Sequence, residues 1–206
     1  MNLVLFDDPV IRMDLLPFTY TRPVADIRIG ILTIKEKWEK YLGLSASFLT
    51  QNYLATRFPL VRSTDNLLIN GALCPDANLL GAVNMLSPGQ SLVKGDRLLA
   101  IRGESTAIDS AKAWEYPGEI ILVDQPWKIF TLNGAQIRSD FALLVHGRKS
   151  HDISDPHTIL YGRENIFIEE GVSLTACILN ASAGPIYLGK NSNANVSHRP
   201  RVGKRQ

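Results

Sequence analysis

Leu3 to Phe6 is an apolar run closed by Asp7 and Asp8, the pattern of a short strand buried on both faces. From Ile27 onward, Ile31, Ile34, Trp38, Tyr41 and Leu42 recur at helical spacing, and Gly43 supplies a stop. Glu36 and Lys40 would pair across one turn on the wet face of that helix. A strand is predicted over Ala46–Leu49, a short helical piece near Tyr53–Phe58, and a second compact strand over Asn66–Asn70. Pro75-Asp-Ala-Asn78 reads as a turn or helix start. Ser91–Lys94 and Arg97–Ile101 form a hairpin about Gly95-Asp96. Glu119–Val123 reads as another strand. Pro126 opens a helical region through Ile129, Phe130, Ile137, Phe141 and Leu144, broken near Asn133-Gly134. Strands alternating with helices argue for an α/β sandwich on a mostly parallel sheet.

The pattern changes after Gly147. Arg148–His157 is polar and contains Pro156, as a linker would be. Beyond it an aliphatic–aromatic–aliphatic motif recurs at twenty residues, Ile166-Phe-Ile followed by Glu-Glu-Gly, then Ile186-Tyr-Leu followed by Gly-Lys-Asn. Such repetition reads as stacked coils of a β-solenoid, with two ordinary strands as the alternative. From Asn193 the pattern breaks off into a basic tail, read as an aberrant end or a disordered segment. The predicted division is an α/β domain over 1–147, a linker over 148–158, the start of a solenoid over 159–192 and the tail over 193–206.

Composition adds limits. The 206 residues are 45% hydrophobic and 20% charged, as in globular proteins. No apolar run is long enough for a transmembrane helix, and the acidic start does not read as a secretory leader. Cys74 and Cys177 lack metal-site spacing and read as reduced thiols of a cytoplasmic protein. The net charge of +2 depends on Arg199, Arg201, Lys204 and Arg205; the other 18 basic residues face 20 acidic ones. The body therefore offers nothing to nucleic acid, and no membrane partner is expected.

Candidate chemistry concentrates between the first strand and the first long helix, in Leu15-Leu-Pro-Phe-Thr-Tyr-Thr-Arg-Pro-Val-Ala-Asp-Ile-Arg-Ile-Gly30. A loop at this place in an α/β domain is the usual holder of nucleotide phosphates. Arg22 is the first choice for a phosphate contact because a guanidinium binds phosphate oxygens bidentately. Arg28 follows, then Arg12, and Asp26 would orient an arginine or accept a sugar hydroxyl. Equally, Arg22, Arg28 and Asp26 fit a structural ion-pair cluster, and Asn70-Gly71 fits turn chemistry as well as a substrate contact. Asp7 and Asp8 read as a solvated turn or a helix cap. Trp38 and Trp127 read as core aromatics. His151, Asp152 and His157 have no standard metal spacing.

The segment Leu16–Trp38 resembles the bifunctional UDP-N-acetylglucosamine pyrophosphorylase/glucosamine-1-phosphate acetyltransferase group, closest to a divergent branch of sugar nucleotidyltransferases. Asn66–Gly71, Pro126–Phe130 and the Ile166-Phe-Ile motif support the resemblance. It implies a Rossmann-like nucleotidyltransferase domain followed by the start of a left-handed parallel β-helix of hexapeptide repeats. It further implies transfer from UTP to N-acetylglucosamine 1-phosphate with Mg²⁺, Arg22 and Arg28 acting in catalysis. Arg12, Asp26, Asn70 and Gly71 would bind substrate, and Asn133 is a candidate metal ligand by position alone. Acetyl-CoA would serve only a C-terminal half that is missing beyond the repeats. The family's β-helix usually forms a homotrimer.

Two departures from that pattern bear on activity. The family's small-residue loop, ending in Gly-x-Gly-x-Arg, is here Phe6–Asp14 with no glycine. Ala72 stands where the pattern has a metal-binding aspartate. A catalytically degenerate module that binds a nucleotide sugar, or positions the solenoid, is the alternative reading.

Overall fold

The computed structural model describes residues 1–107, 109 and 112–195. These divide into two units, Met1–Gln136 and Ile137 onward.

In the first unit, β1 (Asn2–Phe6) is the second strand from one edge of a six-stranded sheet. It pairs in parallel with β2 (Ala46–Leu49) on one side and β3 (Asn66–Asn70) on the other. The order is β2-β1-β3-β6-β5-β7, with β5 at Ser91–Lys94, β6 at Arg97–Arg102 and β7 at Ala113–Glu115. β6 runs antiparallel to both β3 and β5, and β7 is parallel to β5. This is a mixed α/β fold with a parallel-rich central sheet, as a Rossmann-like domain requires.

The wholly apolar strands follow from burial on both faces. Leu3, Leu5, Leu67 and Ile69 belong to one core with Ile34 and Trp38, whereas Val4, Phe6 and Leu68 join Val93, Leu98 and Ile101 in a second. Alternate side chains of a strand point to opposite faces, so both sets must be apolar. Each such side chain contributes about 1.5–3 kcal/mol on burial. Trp38 is fully buried, and its indole N–H donates to the Leu73 carbonyl at 2.7 Å.

The local elements mostly follow the periodicity, with instructive exceptions. The first amphipathic helix, α2, begins only at Ile34 and ends at Leu42, with Gly43 left-handed at φ +67°. Residues 27–33 form a tight reversal instead, in which Arg28 bridges Thr33 and Gly30 takes φ +84°. A Thr33–Glu36 capping box then fixes the start of the helix. Glu36 thus caps Thr33 and pairs with Arg28 at 3.5 Å, while the i,i+4 ion pair on α2 joins Lys35 to Glu39 at 3.3 Å. The expected Glu36–Lys40 pair gives way to these contacts. Near Tyr53 only a single 3-10 turn forms, Asn52–Leu54.

Asp76 caps α3 (Ala77–Asn84) by accepting from the amides of Asn78 and Leu79. The β5–β6 hairpin turns at Gly95, φ +60°. The strand expected over Glu119–Val123 shrinks to β8 (Ile121–Leu122), antiparallel to β4 (Leu73–Cys74). Two helices follow, α4 (Pro126–Thr131) and α5 (Asn133–Val145), broken where the Asn-Gly pair predicts. Trp127 is 62% exposed, which corrects its assignment to the core: α4 buries none of its residues.

In the second unit, β9 (Ile159–Tyr161), β10 (Ile166–Ile168) and β11 (Ser173–Thr175) form one turn of chain. β12 (Ile178–Asn180), β13 (Ile186–Leu188) and β14 (Asn193–Asn195) form the next. Each strand of the second turn lies parallel to its counterpart in the first: Ile178 opposite Ile159, Ile186 opposite Ile166, Asn193 opposite Ser173. The twenty-residue repeat is therefore one coil stacked on another. The stack carries through Asn195, past the point where the sequence motif breaks off; the rest of the basic tail lies outside the described residues. Phe167 and Tyr187 stack across the coils at 5.6 Å, and Arg148 lies over the Phe167 ring at 5.0 Å. Cys74 and Cys177 are both buried, and neither is in a disulfide.

Candidate functional site

β1, β2 and β3 run in the same direction, so their carboxyl ends share one edge, with Phe6 level with both Leu49 and Asn70. Chain order passes from β1 to β2 on one side and then to β3 on the other. A crevice at such a reversal is the favoured ligand position in open α/β sheets. The arginine loop crosses this edge.

Its anchors are specific. Asp7, the residue after β1, accepts the Val24 amide at 2.8 Å through Oδ1 and the Thr50 hydroxyl through Oδ2. Gly71, just beyond β3, donates its amide to the Phe6 carbonyl at 2.8 Å. A β-carbon on Gly71 would lie 3.1 Å from that oxygen and 3.2 Å from the Ala25 nitrogen, so only glycine lets the loop pack this closely. Farther along, the Asn133 side-chain oxygen accepts the Gly30 amide at 2.7 Å.

Arg22 and Arg28 line the same cavity, about 340 Å³, with Pro17, Phe18, Thr21, Ile27 and Ile129. Both are exposed. Arg28 donates to the Ile31 carbonyl and pairs with Glu36. Arg22 has no hydrogen-bond or ion-pair partner among the described residues, which leaves its fork of donors open to the cavity. Asp26, in the same loop, is half-buried and lines a different cavity, with Lys35, Phe48, Arg57 and Phe58. Burial pushes its carboxyl above the ordinary range, while Arg22, Lys35 and Arg57 pull it down. The Arg28–Glu36 pair does not include Asp26, so the ion-pair cluster conceivable from sequence takes a different form.

The Arg12 side chain is 6% exposed. It donates to the Thr19 carbonyl at 2.7 Å and to the Tyr53 hydroxyl at 2.5 Å, and its Nε lies 3.6 Å from Asp7. It borders a second cavity of about 440 Å³ with Tyr20, Gln51 and Tyr53. The Asp7 side chain is 3% exposed, not solvated, and burial raises its pKa against the pull of Thr50, Val24 and Arg12. Asp8 caps α1 (Pro9–Asp14) by accepting from Val10 and Ile11. No local pattern marks Asp7 as the residue that holds the loop, because a carboxylate after a strand looks the same whether wet or buried.

Asn70 is fully buried. Its amide nitrogen donates to the Leu98 carbonyl at 3.1 Å, and its oxygen accepts the Ala72 amide at 3.0 Å. The side chains that could serve a protein-held Mg²⁺ are thus engaged: Asp7 by the loop, Asp8 by α1, Asn70 by its own turn and Asn133 by Gly30. Ala72 offers no oxygen from its side chain. Among the described residues no group of three His, Cys, Asp or Glu side chains could hold a metal ion. The donor set does not fit a resident metal.

No helix among the described residues is long and apolar enough to cross a membrane. No curated protein gives a significant match to the sequence. The family model described as sugar nucleotidyl transferase matches residues 3–149, which spans the sheet, the arginine loop, its cavity and α5. On that match, extending over more than half of its length, the chain belongs to the sugar nucleotidyl transferase family.

Proposed function

We propose that this chain is a sugar-1-phosphate nucleotidyltransferase that joins UTP to N-acetylglucosamine 1-phosphate and releases pyrophosphate. The observation that carries the reading is Arg22, a guanidinium with no hydrogen-bond or ion-pair partner among the described residues, which lines a cavity in the loop anchored to the carboxyl ends of the parallel strands. Family membership supports the reaction class. The choice of base and sugar rests on the resemblance of the Arg22–Trp38 segment.

In the reaction, an oxygen of the sugar phosphate attacks the α-phosphorus of the triphosphate. The bond from that phosphorus to the bridging oxygen breaks, and pyrophosphate leaves with the electron pair. Such transfer depends on charge neutralisation and alignment more than on covalent help. Arg22 would grip phosphate oxygens bidentately, and Arg28, steadied by Ile31 and Glu36, would add a second positive charge. Asp26 would accept hydroxyls of the ribose or sugar. Arg12 and Gly71 would act through the loop they support, and Asn70 through its own turn; none of the three lines the Arg22 cavity. Mg²⁺ enters as the counter-ion of the triphosphate substrate.

The test is pyrophosphate release from purified protein given Mg²⁺, UTP and a panel of sugar 1-phosphates. Release with N-acetylglucosamine 1-phosphate is expected; silence with every pair contradicts the reading.

A second reading has its own observation. Asp7, Asn70 and Asn133 are all engaged within the protein and Ala72 replaces a carboxylate, which favours a module that binds a nucleotide sugar without turnover. Calorimetric binding of UDP-N-acetylglucosamine with no turnover would select it. The coils of Ile159–Asn195 fit the start of a left-handed hexapeptide β-helix, and we assign no acetyl transfer to these two coils alone; CoA release with glucosamine 1-phosphate would refute that assignment.

A further inference from the structure

We propose that Asp7 is a positioning residue that aims Arg22 into its cavity; the inference rests on the reading of Arg22 as a phosphate ligand. The connection is short and stiff. Asp7 Oδ1 holds the amide of Val24 at 2.8 Å, and Pro23 between Val24 and Arg22 sits at φ −63°. The proline ring fixes that dihedral and also disfavours helical backbone at the preceding residue, Arg22. Pinning one amide therefore sets the direction of the arginine two residues away.

The carboxylate is itself held on three sides. Thr50, just past β2, donates to Oδ2, and Arg12 of α1 brings its Nε to 3.6 Å. That nitrogen is buried without a hydrogen bond, so Asp7 is its counter-charge rather than a full partner. One side chain thus joins β1, β2, α1 and the arginine loop. The same arrangement closes the place directly after β1 to phosphate: two carboxylates stand there, Asp8 occupies the first amides of α1, and Pro9 has no amide proton. Anion binding on this edge falls to the loop that Asp7 fixes, and a pre-aimed guanidinium loses less freedom when it binds.

The test measures the affinity of UTP with Mg²⁺ by calorimetry, well below the melting temperature of every variant. The set comprises wild type, R22A, D7A, D7N and N66A. D7A is expected to weaken binding about 10-fold, as misplacement of a binding group does. D7N keeps an oxygen for the Val24 amide while removing the counter-charge of Arg12; it should melt lower yet bind within about 2-fold of wild type. N66A breaks the Asn66–Ser63 contacts (2.6 and 2.8 Å) at the opposite edge of the sheet and serves as a destabilised control with unchanged affinity. Wild-type affinity in D7A, or an equal loss in N66A, overturns the positioning role. Undiminished binding in R22A instead removes the phosphate reading of Arg22 on which the inference rests.

Discussion

The side-chain oxygen of Asn133 accepts the amide of Gly30 at 2.7 Å, across 103 positions of sequence. This contact fastens the tight reversal at the end of the arginine loop to the first residue of α5. Replacing Asn133 by Ala leaves a partly buried amide unsatisfied and should cost about 1 kcal/mol of stability. Hydrogen exchange at Gly30 should accelerate in N133A, while the Mg²⁺ dependence of turnover stays as in wild type. A changed metal requirement would mean that Asn133 is a ligand after all.

Gly71→Ala tests the close approach of loop and sheet. The added methyl meets the Phe6 oxygen at 3.1 Å and the Ala25 nitrogen and β-carbon at 3.2 and 3.3 Å. These are mainly backbone atoms, so the loop must move. Overpacking of this kind costs about 1–3 kcal/mol. Chemical denaturation should report that loss, and UTP binding should weaken with it. Unchanged stability would mean that the loop yields freely.

The outcome of reading the chain differs by level. The buried strands Leu3–Phe6 and Asn66–Asn70, the Gly95-Asp96 turn and the break at Asn133 are written in local pattern, because apolar runs and turn residues act over a few positions. The start of α2 was misplaced by seven residues: Ile27 and Ile31 keep helical spacing, but the Thr33–Glu36 box and the left-handed Gly30 decide the boundary. Trp127 misled because hydrophobicity does not say whether a short helix has a neighbour to bury it. At the site, Arg22 and Arg28 were legible as charged residues in a proline-bounded loop. Which of them is engaged was not, since Glu36 and Ile31 compete for Arg28 only in three dimensions. The burial of Asp7 and Arg12 depends on Thr50, Val24 and Tyr53, which no local pattern connects.

Acid should loosen the coiled unit through Glu169. Arg148 donates to this carboxylate at 2.6 Å, Tyr187 donates to its other oxygen, and these bonds hold its pKa below the ordinary 4.5. A carboxyl depressed in the folded state stabilises above its unfolded pKa, and that contribution is lost as pH falls through the folded value. Exchange protection in β10 and β13 should therefore be constant above about pH 5.5 and decline below about 4.5. E169Q should lower the protection at pH 7 and flatten its acid dependence. A wild-type profile in E169Q would assign the acid sensitivity elsewhere.

The most direct test of the central claim is kcat/KM for pyrophosphate release from UTP and N-acetylglucosamine 1-phosphate, compared between wild type and R22A. Loss of a charge-assisted, two-pronged phosphate contact is worth about 1.5–3 kcal/mol or more, so R22A should fall by roughly 10- to 200-fold. R22K should recover only part of that loss, because an ammonium cannot reproduce the fork. R28A should fall less, since Ile31 and Glu36 already hold that guanidinium. Turnover in R22A equal to wild type would contradict the account, because the guanidinium that lines the loop's cavity would then have no part in the reaction.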